Sequence, residues 1–221
     1  MADTRPIFTG IAAGYDRMNR LLSLGLDPRW RRTAVSLIEG NPVRALDIAC
    51  GTGDLTRALA TRFPEAEVVG ADFTPAMLEI AVRKCADLPR VRFVEGDAHA
   101  MDFADGSFEC ASCAFGFRNF DDAGRVLREC ARVLRSGGEL VVLEFFRPGS
   151  RLLGFLTALW LRIVAPILAP RRRDAYAYLR DSMGRTMSAD EFIGLARAAG
   201  FRLSFRRFFL PACTCLVFKR G

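Results

Sequence analysis

The chain has 221 residues, of which 51% are hydrophobic and 26% charged. That length and balance exclude a disordered or collagen-like chain and allow one domain with a substantial core. The net charge of +7, nearly all of it from arginine, admits nucleic acid, an acidic small molecule, an anionic membrane surface or simply a solvated basic face; with no Lys/Arg run interleaved with stacking aromatics, nucleic acid is not expected as a partner.

Met1 to Gly10 carries no apolar run of signal-peptide length, and no stretch reaches the roughly 20 uninterrupted apolar residues of a membrane span. Residues 1–40 read as helical. Tyr15 to Leu22 is one run, Gly25 breaks it, and Arg29 to Ile38 is a second amphipathic run. From Val43 the pattern changes. Arg44 to Ala49 is a short apolar strand, Cys50 to Asp54 a glycine-rich turn, and Leu55 to Phe63 a helix. Val68 to Asp72 is a second strand, followed by a helix from Pro75 to Cys85 with proline in its first turn. Val91 to Glu95 and Phe108 to Phe115 are the next strands, Ala123 to Leu134 the next helix, and Glu139 to Phe145 a strand after a Gly137–Gly138 turn. Strands alternating with helices predict βαβ units, a mostly parallel sheet and an α/β fold.

The last third differs. Leu152 to Leu168 is strongly apolar but interrupted by Arg162 and Pro166, and Arg171, Arg172 and Arg173 follow. Two readings stand for it: an element lying on an anionic membrane surface, or an ordinary buried helix. Ser188 to Ala199 reads as a helix capped by Ser188 with Glu191 three residues on. Phe201 to Phe209 and Thr214 to Phe218 look like a closing pair of strands. The whole chain, 1–221, is expected to be a single domain, with an N-terminal helical lid (1–40), a cofactor-binding core (41–145) and substrate-side elements (146–221).

The seven cysteines are irregularly spaced. Cys110 and Cys113 stand at metal-ligand spacing, but no second pair and no nearby histidine completes a site, so no metal is expected. They fall in an apolar strand, where free cysteine behaves as a small hydrophobe. A reducing compartment follows, so the expected location is cytoplasmic, with peripheral contact at the inner face of the membrane left open.

The strand from Leu46 to Ala49 runs into Cys50-Gly51-Thr52-Gly53-Asp54 and then a helix. Glycine lets a ligand approach the main chain closely. Asp72 ends the next strand, where a carboxylate accepts from ribose hydroxyls. A dinucleotide site would want a third glycine where Thr56 stands, which argues against a nicotinamide cofactor. Asp47 and Asp54 would repel a pyrophosphate but suit a ligand carrying an ammonium and a sulfonium. After the third strand, Asp97 can bond an adenine amino group.

This order resembles the class I S-adenosylmethionine-dependent methyltransferase pattern over residues 43–145, with a Rossmann-like fold and S-adenosylmethionine as cofactor. By that similarity Gly51, Thr52, Gly53, Asp72, Asp97 and Ala98 are cofactor contacts. The flanks narrow it. Phe8, Ile11, Tyr15, Asp16, Met18, Asn19, Trp30 and Arg31 precede the core; Ala114-Phe115-Gly116-Phe117-Arg118-Asn119 follows the fourth strand; Tyr176, Tyr178, Leu179, Ser182 and Met183 lie in the insert. Together they resemble the UbiE/MenG-type family, the C-methyltransferases of ubiquinone and menaquinone biosynthesis. The departures are Ala114, at a cofactor-contact position where relatives often carry serine, Ser136 before the glycine pair, Arg185 to Ser188 after the tyrosine block, and Pro211 to Cys215 near the end.

The resemblance implies methylation of a ring carbon of a polyprenylated quinol, with demethylmenaquinol the first expectation. Positioning the reactants and stabilising a phenolate are then the enzyme's main tasks. Arg118 is the first candidate for holding the oxyanion or orienting a water, with Asn119 fixing that geometry. Tyr15 and Asp16, on the lid helix, come next. Tyr176 and Tyr178 are candidates to line the ring pocket. His99 would be the obvious base by residue type, but its place near the adenine end predicts a loop role. Two other readings remain: a methyltransferase for another hydrophobic acceptor, and a non-catalytic nucleic-acid-binding protein of the same fold. A homo-oligomer is an open expectation.

Overall fold

The computed structural model describes residues 5–23, 25–147, 186–209 and 213–221. The insert tyrosines, the apolar segment 152–168 and the arginines at 171–173 lie outside the described residues.

Helices α1 (Arg5–Ile11), α2 (Tyr15–Leu22) and α3 (Asp27–Ser36) lead into the sheet, with a single 3₁₀ turn, Ala12–Gly14, between the first two. The core then alternates as β1 (Arg44–Ile48), α4 (Asp54–Arg62), β2 (Glu67–Asp72), α5 (Pro75–Lys84), β3 (Val91–Glu95), β4 (Phe108–Ala114), α6 (Ala123–Val133) and β5 (Leu134–Phe145). A helix, α7 (Ala189–Ala198), and the strands β6 (Phe201–Phe209) and β7 (Cys213–Arg220) close the chain.

The seven strands form one sheet in the order β3-β2-β1-β4-β5-β7-β6. The first five pair in parallel, and β7 pairs antiparallel with both β5 and β6. Strand side chains alternate between faces, so each strand feeds two cores. Leu140 and Val142 of β5 pack with Leu216 and Phe218 of β7 against α6 and α7 on one face. Val141, Leu143, Cys213, Cys215 and Val217 pack against Trp30 of α3 and Leu55 and Leu59 of α4 on the other. Cys110 and Cys113 fall on opposite faces for the same reason. All seven cysteines are free and buried, and burial pushes the thiols of both members of that pair up.

Local signals place the helices. At α7 the Ser188 hydroxyl accepts from the Glu191 N–H at 3.2 Å while the Glu191 carboxylate accepts from the Ser188 N–H at 2.6 Å, the expected reciprocal cap. Asp122 caps α6 through the Arg125 N–H at 2.8 Å. One boundary differs from expectation. β5 starts at Leu134, before the glycine pair rather than after it. Leu134 pairs with Phe108 and Glu139 with Cys110, so residues 135–138 bulge opposite Glu109 alone. Gly138 allows this, because a Cβ there would stand 2.8 Å from the Arg135 carbonyl oxygen and 3.0 Å from that of Glu109.

Candidate active site

The chain order reverses at β1, with β2 on one side and β4 on the other. Open α/β sheets form a crevice outside the carboxyl ends of the strands at such a point. Here it is a cleft of about 1000 Å³. Its walls begin where β1 and β4 end. Ala49 and Phe115, each just past its strand, both line the cleft and both hold left-handed backbone conformations, φ +52° and +61°. Such strain in non-glycine residues clusters at functional sites. Gly53 follows at φ +83°, and a Cβ there would meet Ala81 Cβ at 3.1 Å and Phe93 at 3.3 Å. Glycine therefore lets the turn sit tightly against α5.

Two carboxylates stand at the ends of neighbouring strands. Asp72 accepts from the Gly51 N–H at 2.8 Å through one oxygen and from the Thr74 N–H at 2.9 Å through the other. Burial pushes its carboxyl up, and those backbone donors partly offset the rise. Asp97 receives two bonds on Oδ1 from His99, one from the backbone N–H at 2.9 Å and one from Nδ1 at 2.7 Å. Burial works against ionisation there too, but the His99 bonds outweigh it and hold the carboxyl below its ordinary range.

Of the residues expected at the site, Tyr15, Gly51, Asp72, Asp97, Ala98, Ala114 and Asn119 line the cleft. Asp16, Asp47, Thr52, Gly53, Asp54 and Arg118 are not among the lining residues. Asp47 is buried beneath the turn, with its oxygens accepting from the hydroxyls of Thr56 at 2.7 Å and Ser112 at 2.9 Å. It ties α4 and β4 to β1 instead of meeting a ligand's positive charge, and burial pushes its carboxyl up to about 6. Thr52 donates to Asp16 at 2.5 Å, and the Lys84 ammonium reaches Asp16 at 2.8 Å and also bonds Asp54. Asp16 therefore fastens α2 to the glycine turn, and Asp54 is already matched by a lysine. Gly53 shapes the turn as described.

Arg118 stands apart from that lining. Its guanidinium meets Glu144 at 2.8 Å, with side-chain exposures of 6% and 0%. It also lies 5.9 Å from the ring centres of Phe115 and Phe145. The guanidinium is so enclosed that Arg118 is not among the residues lining the cleft, and through Glu144 it braces the Phe117–Asn119 turn. Asn119 is the residue of that turn that reaches the cleft, its Nδ2 donating to the Phe115 carbonyl at 3.3 Å.

Several lining residues carried no expectation of a role: Phe73, Met77, Phe120 and, as a site residue, His99. Met77, in the first turn of α5 after the acidic strand end, had a readable position. Phe73 and Phe120 had none, being loop aromatics in a chain with many phenylalanines. Arg31, 7% exposed and 5.2 Å from the Phe115 ring centre, supports the wall from behind.

The model of the ubiE/COQ5 methyltransferase family matches residues 2–210. This chain belongs to that family. A demethylmenaquinone methyltransferase from Thermus thermophilus is 47% identical over 90% of this chain and 93% of its own length. The ubiquinone/menaquinone biosynthesis C-methyltransferase UbiE of Syntrophotalea carbinolica is 41% identical over 90% of this chain and 86% of its own. Among solved structures, a SAM-dependent methyltransferase from Thermotoga maritima superposes with TM-score 0.70 at 22% identity, covering 97% of this chain and 99% of that one. At that identity the likeness bears on the fold alone, and the fold is the Rossmann-like α/β fold expected of a class I methyltransferase.

Proposed function

We propose that this protein is a single-domain enzyme that methylates a ring carbon of a polyprenylated quinol, demethylmenaquinol first, using S-adenosylmethionine. The observation that carries the reading is one cleft with two kinds of lining residue. Asp72 and Asp97 supply carboxylates at the ends of β2 and β3, and Tyr15, Phe115 and Phe120 supply aromatic rings to the same lining. The donor set fits the cofactor. Carboxylates accept from ribose hydroxyls at Asp72 and from an amino group at Asp97, while the open backbone at Gly51 allows close approach.

When bound, S-adenosylmethionine supplies an electrophilic methyl group on a sulfonium. The chain's own residues orient what meets it. The Tyr15 phenol and the Asn119 amide are polar groups of that lining, placed to hold the acceptor's hydroxyl and present its neighbouring ring carbon. Asp16 and Arg118 serve as positioning residues, the first through Thr52 and Lys84, the second through Glu144. For the apolar tail, the sequence of residues 152–170, apolar with arginines at its edges, is the candidate for contact with an anionic membrane surface. No helix among the described residues is long and apolar enough to cross a membrane.

Labelled methyl transfer tests the reading directly. Reduced demethylmenaquinone should accept label, and a demethylated ubiquinone precursor should accept less. Binding of S-adenosylhomocysteine with transfer to neither quinol would point to another hydrophobic acceptor. Failure to bind S-adenosylhomocysteine would favour the non-catalytic alternative.

A further inference from the structure

His99 is the chain's single histidine, and it stands on the cleft beside Asp97. Its ring is mostly enclosed, 17% exposed, while the Asp97 side chain is 63% exposed. Nδ1 and the backbone N–H both reach the same oxygen, Asp97 Oδ1. On the other side of the ring, Nε2 is buried with no hydrogen-bond partner among the described residues. A buried N–H without an acceptor is rarer in folded proteins than a buried lone pair without a donor. The proton therefore belongs on Nδ1, where it is donated to Asp97. The edge of Phe120, 5.7 Å away between centroids, and the Arg125 Nε–H bond to the His99 carbonyl at 2.8 Å hold the ring and its backbone in place.

We infer that His99 is a positioning residue for cofactor selectivity, resting on the cofactor reading above. An exposed aspartate would ordinarily swing between rotamers. This one is pinned through Oδ1, which leaves Oδ2 aimed by the geometry of the pair. A pinned carboxylate accepts from an amino group at the six-position of a purine. Set against a keto group at that position, it faces oxygen with oxygen, and it cannot turn to take the ring N1–H instead. Without the His99 ring the carboxylate keeps only the backbone N–H bond and can rotate about it, and the preference for the amino purine fades.

The test is calorimetric binding of S-adenosylhomocysteine and S-inosylhomocysteine, which differ at that purine position, to the full chain. The wild type should prefer the adenosyl compound by tenfold or more. His99→Ala should lower its affinity about five- to tenfold and leave the inosyl compound nearly unchanged, so that the preference shrinks by the same factor. His99→Phe, which fills the space without a donor, should behave like the alanine variant. His99→Asn, whose amide N–H can stand near the Nδ1 position, should restore most of the preference. A preference that survives both donor-less variants in full, or equal losses for the two ligands, would overturn the inference while sparing the cofactor reading. A wild-type chain that binds neither compound would overturn both.

Discussion

Asp47 sits between the hydroxyls of Thr56 and Ser112 with 1% of its surface exposed, and its carboxyl is pushed up to about 6 from 3.8. The shift has a sign for stability. Below about pH 4 the group is protonated in both folded and unfolded chains. Between about pH 4 and 6 the unfolded chain ionises first, so folding loses free energy as pH rises, on the order of 3 kcal/mol for two units. Asp47→Asn carries no such term. Urea titrations at pH 4 and pH 7 should show the wild type losing ground to this variant at the higher pH, and parallel pH profiles would rule out the buried carboxyl as their source. Arg118 and Glu144 call for the opposite expectation. Arg118→Ala strands a fully buried carboxylate and should cost about 3–5 kcal/mol, whereas Arg118→Met with Glu144→Gln should cost much less. If the single and double variants unfold at the same urea concentration, the pair is not the source of the loss. Neither arrangement was legible in the chain. Arg118 reads as a functional arginine because nothing local announces a partner 26 positions away, and Asp47 reads as a ligand contact because an acid beside a glycine turn has no other visible purpose.

Helix α2, proposed as a lid, is held to the glycine turn by polar contacts of partly exposed side chains, with Lys84 27% and Asp16 35% exposed. Ion pairs of that exposure are worth about 0.2–1 kcal/mol, enough to bias a closed position without locking it. Lys84→Gln should therefore speed release of S-adenosylhomocysteine about two- to fivefold in a stopped-flow chase while leaving the fold intact; an unchanged release rate would show that α2 does not gate the cleft. At this scale the sequence was most readable. The apolar run of β1, the alternation of β2 and β3 with α4 and α5, and the Ser188 cap follow from periodicity and side-chain chemistry within a few residues. The start of β5 did not, because Gly137-Gly138 signals a turn equally well whether it ends a loop or sits in a bulge. The left-handed Phe115 was hidden for a related reason: phenylalanine has no preference for that conformation, and only the packing around the cleft imposes it.

Over the whole molecule the excess of positive charge and the proposed lipid acceptor meet in one prediction. Replacing Arg171, Arg172 and Arg173 with Gln should reduce flotation with anionic liposomes and reduce activity on a long-tailed quinol more than on a short-tailed one, while S-adenosylhomocysteine binding holds. Wild-type binding should also weaken as salt rises. Flotation that is equal for neutral and anionic lipid, and indifferent to the triple change, would favour a buried helix for that region. The seven enclosed thiols have a further use at the same scale. Burial holds their pKa values up wherever a shift is resolved, so the folded chain presents little thiolate to a reagent. They are spread through the fold: Cys50 at the turn, Cys85 after α5, Cys110 and Cys113 in β4, Cys130 in α6, and Cys213 and Cys215 in β7. Each region that opens would therefore expose a reactive sulfur of its own. A slow alkylating agent followed by peptide mass spectrometry would time-stamp those openings one by one, and the native sequence serves as a built-in map of where the protein breathes, with no label introduced by mutation.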